Sequence, residues 1–235
     1  AAISDRKQLL AYLSRAQLLM IDNPIGAQIF ADAKNPDLNT LWVTQSGFGL
    51  PERDYYFSTD QRFTEIRGAY EQHIDNVFKL TGRKDSAAVA KDLMAFETRL
   101  AKASWPAVKL RDIEALYNPM TVESAEQATP GIDWSTWLTD MTLPGSGELV
   151  LTQKDYFQEV GKAINDVPLA TWQDYLTLRA ILEQAPERVD TFTRAGAQRQ
   201  ADDPTIGILA DAWRKVARAT GTPVHAATTW AISSS

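Results

Sequence analysis

The sequence predicts a mainly α-helical, multi-helix domain with a small β-hairpin near its N-terminus. Two observations lead to this fold class. From Asp60 onward, apolar residues recur at helical spacing in several successive segments. Ahead of them, residues 25–33 and 39–45 are typical of two strands, and the connection Lys34-Asn35-Pro36-Asp37 has the residue types of a tight turn.

Residues 49–56, with the sequence Gly-Leu-Pro-Glu-Arg-Asp-Tyr-Tyr, separate this hairpin from the helices. Pro51 disfavours the helical region for Leu50, which predicts an extended backbone there. Arg53 and Asp54 place opposite charges beside two tyrosines. We therefore expect a rigid corner in which Arg53 and Asp54 form an ion pair that holds the hairpin to the helices, with both tyrosines packed beneath it.

Capping residues and apolar periodicity predict the remaining elements. Ser4 or Asp5 begins a first helix that runs to about Met20. The later expected elements are helices over 60–80 and from about 86 to before Pro106, an irregular segment over 105–118, short helices after 121 and after 133, a brief strand over 148–151, a helix capped by Thr152 that runs to about 164, a helix capped by Thr171 over 172–182, and a helical face over 206–217. Residues 228–235 are predicted to form a loose tail.

Composition excludes several classes of function. The 235 residues carry a net charge of −6 without a cluster of basic residues, which argues against a nucleic-acid surface. No run approaches the roughly 20 apolar residues of a membrane-spanning segment. The absence of cysteine excludes disulfides and thiolate metal sites. The first residues lack the features of a signal peptide, so either none exists or the numbering begins after its removal.

No catalytic or metal-binding set emerges from the residues. The two histidines, His73 and His225, lie far apart, and no His-Glu-x-x-His motif is present. We interpret His73 as a partly buried helix residue. The many carboxylates include no pair that spacing singles out. Of the seven tryptophans, those on short helices are expected in the core, although an exposed subset lining a peptide or sugar groove is an alternative.

Several blocks, taken in order, resemble the neprilysin and endothelin-converting-enzyme family of zinc metallopeptidases. Beside residues 49–56 they include Phe-Glu-Thr-Arg-Leu-Ala at 96–101 and Asp-Trp-Ser-Thr-Trp-Leu at 133–138. We expect the matching residues to be structural; they are Gly49, Leu50, Pro51, Arg53, Asp54, Tyr55, Tyr56, Arg111, Asp112, Tyr117, Asn118, Met120, Trp134 and Trp137.

The resemblance implies part of the family's N-terminal domain, a largely helical, non-catalytic domain that encloses a cavity and limits access to small peptides. Zinc belongs to the catalytic half of complete members, so we expect no cofactor in this chain and no activity from this chain alone. The implied partners are a catalytic domain or small peptides, and the implied location is extracytoplasmic, either periplasmic or secreted.

We expect two parts: residues 1–186 as a partial N-terminal domain, and residues 187–235 as a segment without family resemblance, formed of one helix and a loose tail. A truncated product or an altered reading frame is one hypothesis for the second part, and a divergent homologue is the other. For function, the main hypothesis is a substrate-gating domain or a truncated fragment of a peptidase. The alternatives are a free-standing helical peptide- or protein-binding module, and an enzyme with an unrecognised carboxylate site.

Overall fold

The structure is a computed structural model that describes residues 3–194 except 144 and 146, with side chains described as far as Glu183. This part of the chain contains eight α-helices and one four-stranded sheet. The helices are α1 (Arg6–Leu18), α2 (Gln61–Leu80), α3 (Ser86–Ala103), α4 (Ile113–Leu116), α5 (Val122–Ala128), α6 (Trp134–Asp140), α7 (Lys154–Asp166) and α8 (Leu169–Arg194). The strands are β1 (Ile25–Ala31), β2 (Asn39–Gln45), β3 (Pro119–Thr121) and β4 (Glu148–Leu151). The mainly α-helical fold class is confirmed.

Aspartate caps begin three of the helices that the sequence predicted. The side chains of Asp5, Asp60 and Asp133 each accept a hydrogen bond of 2.8 Å from a backbone N–H in the first turn of α1, α2 and α6. Such bonds satisfy donors that the helix itself leaves without partners. The predicted starts of these helices are therefore confirmed, because capping depends only on residues close in sequence.

Two predicted caps are wrong. The hydroxyl group of Thr152 donates to the carbonyl of Val43 at 2.8 Å, so it binds β2 instead of opening α7. Thr171 lies inside α8, since the backbone N–H of Trp172 already donates to the carbonyl of Pro168. Helix α8 consequently begins before the predicted start, and it continues to Arg194, past the predicted end at 182.

The predicted hairpin forms one edge of the sheet, whose strand order is β1-β2-β4-β3. Strands β1 and β2 pair antiparallel from Ile25↔Gln45 to Ala31↔Asn39. Strand β4 joins β2 in parallel and pairs antiparallel with β3. Helix α4 lies in the segment 105–118 that was expected to be irregular, and β3 follows it directly. The hairpin therefore belongs to a four-stranded sheet, which is larger than predicted.

Aromatic residues fill the core between the sheet and the helices. Trp134, Trp137 and Trp172 are fully buried, which confirms their interpretation as core residues. Helix α3 contacts α2, α7, α8 and the corner after β2, so its side chains reach the centre of the domain. Within the described residues, no helix is both long and apolar enough to cross a membrane. The predicted helix over 206–217 and the tail over 228–235 lie outside the described residues.

Candidate functional site

The corner between β2 and α2 closes tightly around two tyrosine hydroxyl groups. Gly47 has a φ of +81°, a conformation that favours glycine, and its carbonyl accepts a 2.6 Å hydrogen bond from the hydroxyl of Tyr175. A Cβ atom on Gly49 would overlap the hydroxyl group and ring of Tyr70. Both glycines are therefore places where the backbone approaches a tyrosine too closely for any side chain.

Glu97, on α3, lies at the centre of this region and is fully buried. Its Oε2 accepts hydrogen bonds from the Tyr56 hydroxyl at 2.6 Å and from the Gly49 backbone N–H at 3.3 Å. Its Oε1 accepts a hydrogen bond from the Tyr70 hydroxyl at 3.1 Å. A buried carboxylate is stable only when its charge and its lone pairs find partners, and both oxygens of Glu97 have them.

Arg179, on α8, supplies the opposite charge. Its Nη2 donates to Glu97 Oε1 at 2.5 Å, and its side chain is 5% exposed while that of Glu97 is 0% exposed. Its guanidinium carbon also lies 5.4 Å from the centroid of the Tyr175 ring, within the range of a cation–π contact. The pair therefore joins α3 to α8 across the core, and removing either partner would leave a buried charge uncompensated.

The electrostatics of this cluster keep its protons in place. Burial, strengthened by the charge of Glu97, raises the pKa of Tyr56 and of Tyr70 far above the ordinary value. Burial likewise raises the pKa of Tyr175. For Arg179 burial opposes the charged form, but Tyr175 and Glu97 outweigh it and hold its pKa above the ordinary value. The hydroxyl groups thus remain hydrogen-bond donors, and none is available as a base at neutral pH.

We call Glu97, Arg179, Tyr56, Tyr70 and Tyr175 the Glu97 joint. It connects the corner with α2, α3 and α8: Tyr56, Tyr70 and Arg179 bond to Glu97, and Tyr175 bonds to the backbone of the corner. Arg179 Nε is also buried and has no hydrogen-bond partner among the described residues. A reacting centre needs a group that a substrate can reach, whereas Glu97 is sealed from solvent. This arrangement fastens three helices rigidly to one loop.

The predicted ion pair between Arg53 and Asp54 is wrong. No ion pair among the described residues joins them. Arg53 donates instead to the carbonyls of Ala101 and Lys102, at 3.3 and 3.4 Å, at the C-terminal end of α3. Adjacent residues of a helical turn do not face each other, and these two lie in the 3-10 turn Arg53–Tyr56. Arg53 still holds the corner to the helices, but it does so by binding the C-terminal end of α3.

The other residues of the 49–56 block extend from the joint to the surface. Leu50 is buried, and its backbone N–H donates to the Tyr56 hydroxyl at 2.9 Å. The ring of Tyr55 lies 4.7 Å from that of Phe63 on α2. Pro51 lies exposed at the surface. The block therefore spans from the surface of the domain to its core.

The remaining motif residues lie away from the joint. Asp112 caps α4 by accepting from the backbone N–H of Ala115, and Arg111 is exposed. Tyr117 donates to both carboxylate oxygens of Asp32 at 2.9 Å and so ties the segment before β3 to the hairpin turn. The others occupy structural positions: Asn118 bonds the carbonyl of Ala115, Met120 lies in β3, and Trp134 and Trp137 stack edge to face in α6.

The central partners of the joint were missed at the sequence level. Glu97 belongs to a block that resembles the family, but no role followed from that resemblance. A signal was present, because Glu97 lies four residues after Leu93 and three before Leu100, on the apolar face of α3. A carboxylate in that position needs a partner. No local pattern singled out Arg179, which lies far along the chain.

The zinc that complete family members bind does not fit the described residues. They include no group of three or more histidine, cysteine, aspartate or glutamate side chains arranged to hold a metal ion. His73 is partly buried on α2, as expected, and burial lowers its pKa. His225 lies outside the described residues. We therefore assign no chemical step to a metal in this part of the chain.

A surface groove of about 360 Å³ lies beside the corner. Trp105 forms one wall, and three contacts fix it. Its backbone N–H donates to Gln45 Oε1 at 2.7 Å, its Nε1 donates to Asp155 at 2.8 Å, and Lys109 Nζ lies 3.2 Å from its ring centroid. The other lining residues are Gln45, Phe48, Pro51, Glu52, Arg53, Ala107 and Leu110.

Solved structures identify the class of protein with this fold. The zinc metalloprotease Zmp1 of Mycobacterium tuberculosis, in complex with an inhibitor, superposes with a TM-score of 0.74 at 32% identity, over 79% of this chain and 29% of that chain. The same enzyme in an open state superposes with a TM-score of 0.72 at 27% identity, over 94% of this chain and 35% of that chain. The fold is thus that of one part of a zinc metalloprotease.

The sequence model of the N-terminal region of peptidase family M13 matches residues 1–223. The chain belongs to peptidase family M13, which confirms the resemblance. Endothelin-converting enzyme 1 of Cavia porcellus is 31% identical over 155 residues, which are 63% of this chain and 20% of that enzyme. The chain thus spans about a fifth of the length of such relatives. The family match runs past residue 186, and the proposed division there stays a prediction.

Proposed function

We propose that this chain is the substrate-gating, non-catalytic part of an M13 zinc metalloendopeptidase that acts on small peptides. The observation that supports this most directly is that the polar groups of the 49–56 block bind inside the protein. This block is the most specific family motif in the chain, and its polar groups bind Glu97 and the end of α3. Its residues thus shape and stiffen a wall, while a partner domain supplies the zinc ligands and the reacting groups.

Gating by size requires a wall that keeps its shape when a peptide presses against it. The Glu97 joint meets this requirement, because it fastens the corner, α2, α3 and α8 through charge-assisted hydrogen bonds inside the core. Interactions of this kind resist deformation, since breaking one leaves a buried polar group without a partner. We further propose an extracytoplasmic location, as the resemblance implies.

A chimera tests the gating role. In it, residues 3–194 replace the matching region of Zmp1, and hydrolysis is measured on peptides of increasing length that share one cleavage sequence. We expect the chimera to hydrolyse short peptides and to discriminate against long ones. Loosening the joint with Tyr56→Phe should extend the accepted length, whereas Asp54→Ala, a nearby change outside the joint, should leave it unchanged. A chimera that accepts all lengths equally would refute gating.

A second experiment tests the non-catalytic assignment. The purified chain is incubated with zinc and a quenched fluorogenic peptide, and fluorescence is followed against a complete M13 peptidase as the positive reference. We expect no turnover by the chain alone. Turnover that tracks the protein through purification and stops on addition of a chelator would overturn the assignment.

A free-standing peptide- or protein-binding module is the second candidate, and the groove beside Trp105 favours it. The groove joins aromatic and apolar walls to a few polar groups, a composition common in ligand sites. Calorimetry with a library of short aromatic peptides tests this function. Saturable binding that Trp105→Ala abolishes and Val108→Ala preserves would support it, because Val108 is exposed on the same loop but does not line the groove.

A further inference from the structure

The groove beside Trp105 is lined by one cation and one anion that lack a partner of opposite charge. Arg53 and Glu52 both line this groove, and both are half-buried. Neither takes part in an ion pair among the described residues, with each other or with a third group. A groove with one unpaired charge of each sign is complementary to a ligand that carries both charges.

Hydrogen bonds fix the guanidinium group of Arg53 and leave one of its nitrogens available. Nε and Nη2 donate to the carbonyls of Ala101 and Lys102 at the end of α3, and the guanidinium carbon lies 4.9 Å from the centroid of the Phe57 ring. Within the described part of the chain, Nη1 donates to no acceptor. Because guanidinium has five N–H donors, Arg53 can hold the end of α3 and still bind a carboxylate.

Glu52 supplies the acceptor for a positive group. It precedes the 3-10 turn Arg53–Tyr56 with an extended backbone, and its side chain does not cap that turn. Its carboxylate accepts no hydrogen bond from the residues that the structure describes. Both oxygens of Glu52 are therefore open to a donor, and an ammonium group offers three.

The apolar walls of the groove are held in place. The side-chain amide of Gln45 binds both backbone groups of Trp105, because it accepts from the N–H at 2.7 Å and donates to the carbonyl at 3.2 Å. The ring of Phe48 lies 6.0 Å from that of Tyr56 and 6.4 Å from that of Tyr156. Walls that are formed in advance reduce the cost of ordering them around a ligand.

The size of the groove limits the ligand. Its volume of about 360 Å³ lies near the lower end of the range of roughly 300–1,000 Å³ for ligand sites, which suits a peptide of roughly two or three residues. Such a peptide with both termini free carries an ammonium group, a carboxylate and apolar side chains at once. A peptide with blocked termini would leave Arg53 and Glu52 without partners.

We propose that the groove beside Trp105 binds short zwitterionic peptides. Arg53 binds the C-terminal carboxylate, Glu52 binds the N-terminal ammonium group, and Trp105 and Phe48 pack against an apolar side chain. The proposal rests on the second candidate function, a peptide-binding module, and names its ligand. Hydrolysis of small peptides releases molecules of this class, because each cleaved bond yields one new carboxylate and one new ammonium group.

Calorimetry on the full chain tests this with leucyl-phenylalanine and three blocked forms of it: N-acetylated, C-amidated, and blocked at both ends. We expect saturable binding of the free dipeptide, about tenfold weaker binding after either single block, and the weakest binding after both, since each block removes one charge-assisted hydrogen bond. Glu52→Gln should abolish the effect of acetylation and keep that of amidation. Asp54→Asn, a neighbouring carboxylate that does not line the groove, should keep both effects.

Equal affinities for all four peptides would overturn the proposal and leave the second candidate function standing, because the groove would then bind peptides without recognising their termini. An acetylation effect that persists in Glu52→Gln would overturn the proposed pairing of the ammonium group. If leucyl-phenylalanine does not bind while longer aromatic peptides do, recognition of both termini is refuted alone. If neither binds, both this proposal and the second candidate function are refuted.

Discussion

Replacing Gly49 with alanine should destabilise the domain strongly. The new Cβ overlaps the hydroxyl group and ring of Tyr70, so either Tyr70 or the corner must move. Moving Tyr70 breaks its hydrogen bond to Glu97, a loss of about 1.5–3 kcal/mol for a bond to a charged group, and overpacking adds about 1–3 kcal/mol. We expect the free energy of unfolding, measured in urea, to fall by roughly 2.5–6 kcal/mol.

Gly68→Ala is the matched control. Gly68 lies inside α2 with open space around it, so alanine there should stabilise the protein by about 0.8–1 kcal/mol through helix propensity. The double variant Gly49→Ala/Tyr70→Ala tests the cause. Once the Tyr70 ring is gone, the alanine at 49 has room, so its added cost should shrink. Strictly additive losses would refute the overlap with Tyr70 as the mechanism.

Three further predictions follow from the same region. Arg179→Met leaves Glu97 charged and buried and should cost about 3–5 kcal/mol in urea denaturation, while adding Glu97→Gln should restore part of the loss; no restoration would contradict a charge effect. Arg53→Ala should lower the melting temperature because Arg53 binds the end of α3, whereas Asp54→Ala should not; equal losses would point back to an ion pair. Burial raises the pKa of Glu183 from 4.5 to about 7, so its stabilising contribution is complete below the lower value and is lost as the pH rises through 7. Glu183→Gln should therefore match the parent protein near pH ~5 and exceed its stability near pH ~8; parallel stability profiles would contradict this.

The elements that the sequence predicted correctly are those whose causes are local. Asp5, Asp60 and Asp133 cap helices through backbone groups two or three residues away, and the hairpin turn is built from its own residues. Strand β3 and the parallel pairing of β4 with β2 depend instead on partners distant in sequence. Thr152 shows the difference, because its hydroxyl bonds to Val43 in preference to the nearby helix start.

The candidate site follows the same division. The 49–56 block was recognised as a corner, and its tyrosines do pack inward, but the partner of Arg53 was wrong because charge was matched along the chain instead of through space. Glu97 was detectable in principle as a carboxylate on an apolar helical face. Its partner Arg179 was not detectable, because the chain has 24 lysine and arginine residues and only the packing of α8 against α3 selects this one.

The parallel pairing of β2 with β4 has a consequence for synthesis. The hairpin is complete at Gln45, but the strand that covers the inner edge of β2 begins only at Glu148, about a hundred residues later. At translation rates of about 5–20 residues per second, that edge stays unpaired for roughly 5–20 s. An unpaired edge is a template for wrong partners. During those seconds the edge of β2 is open to wrong pairing unless a chaperone or the helices that emerge after it shield it.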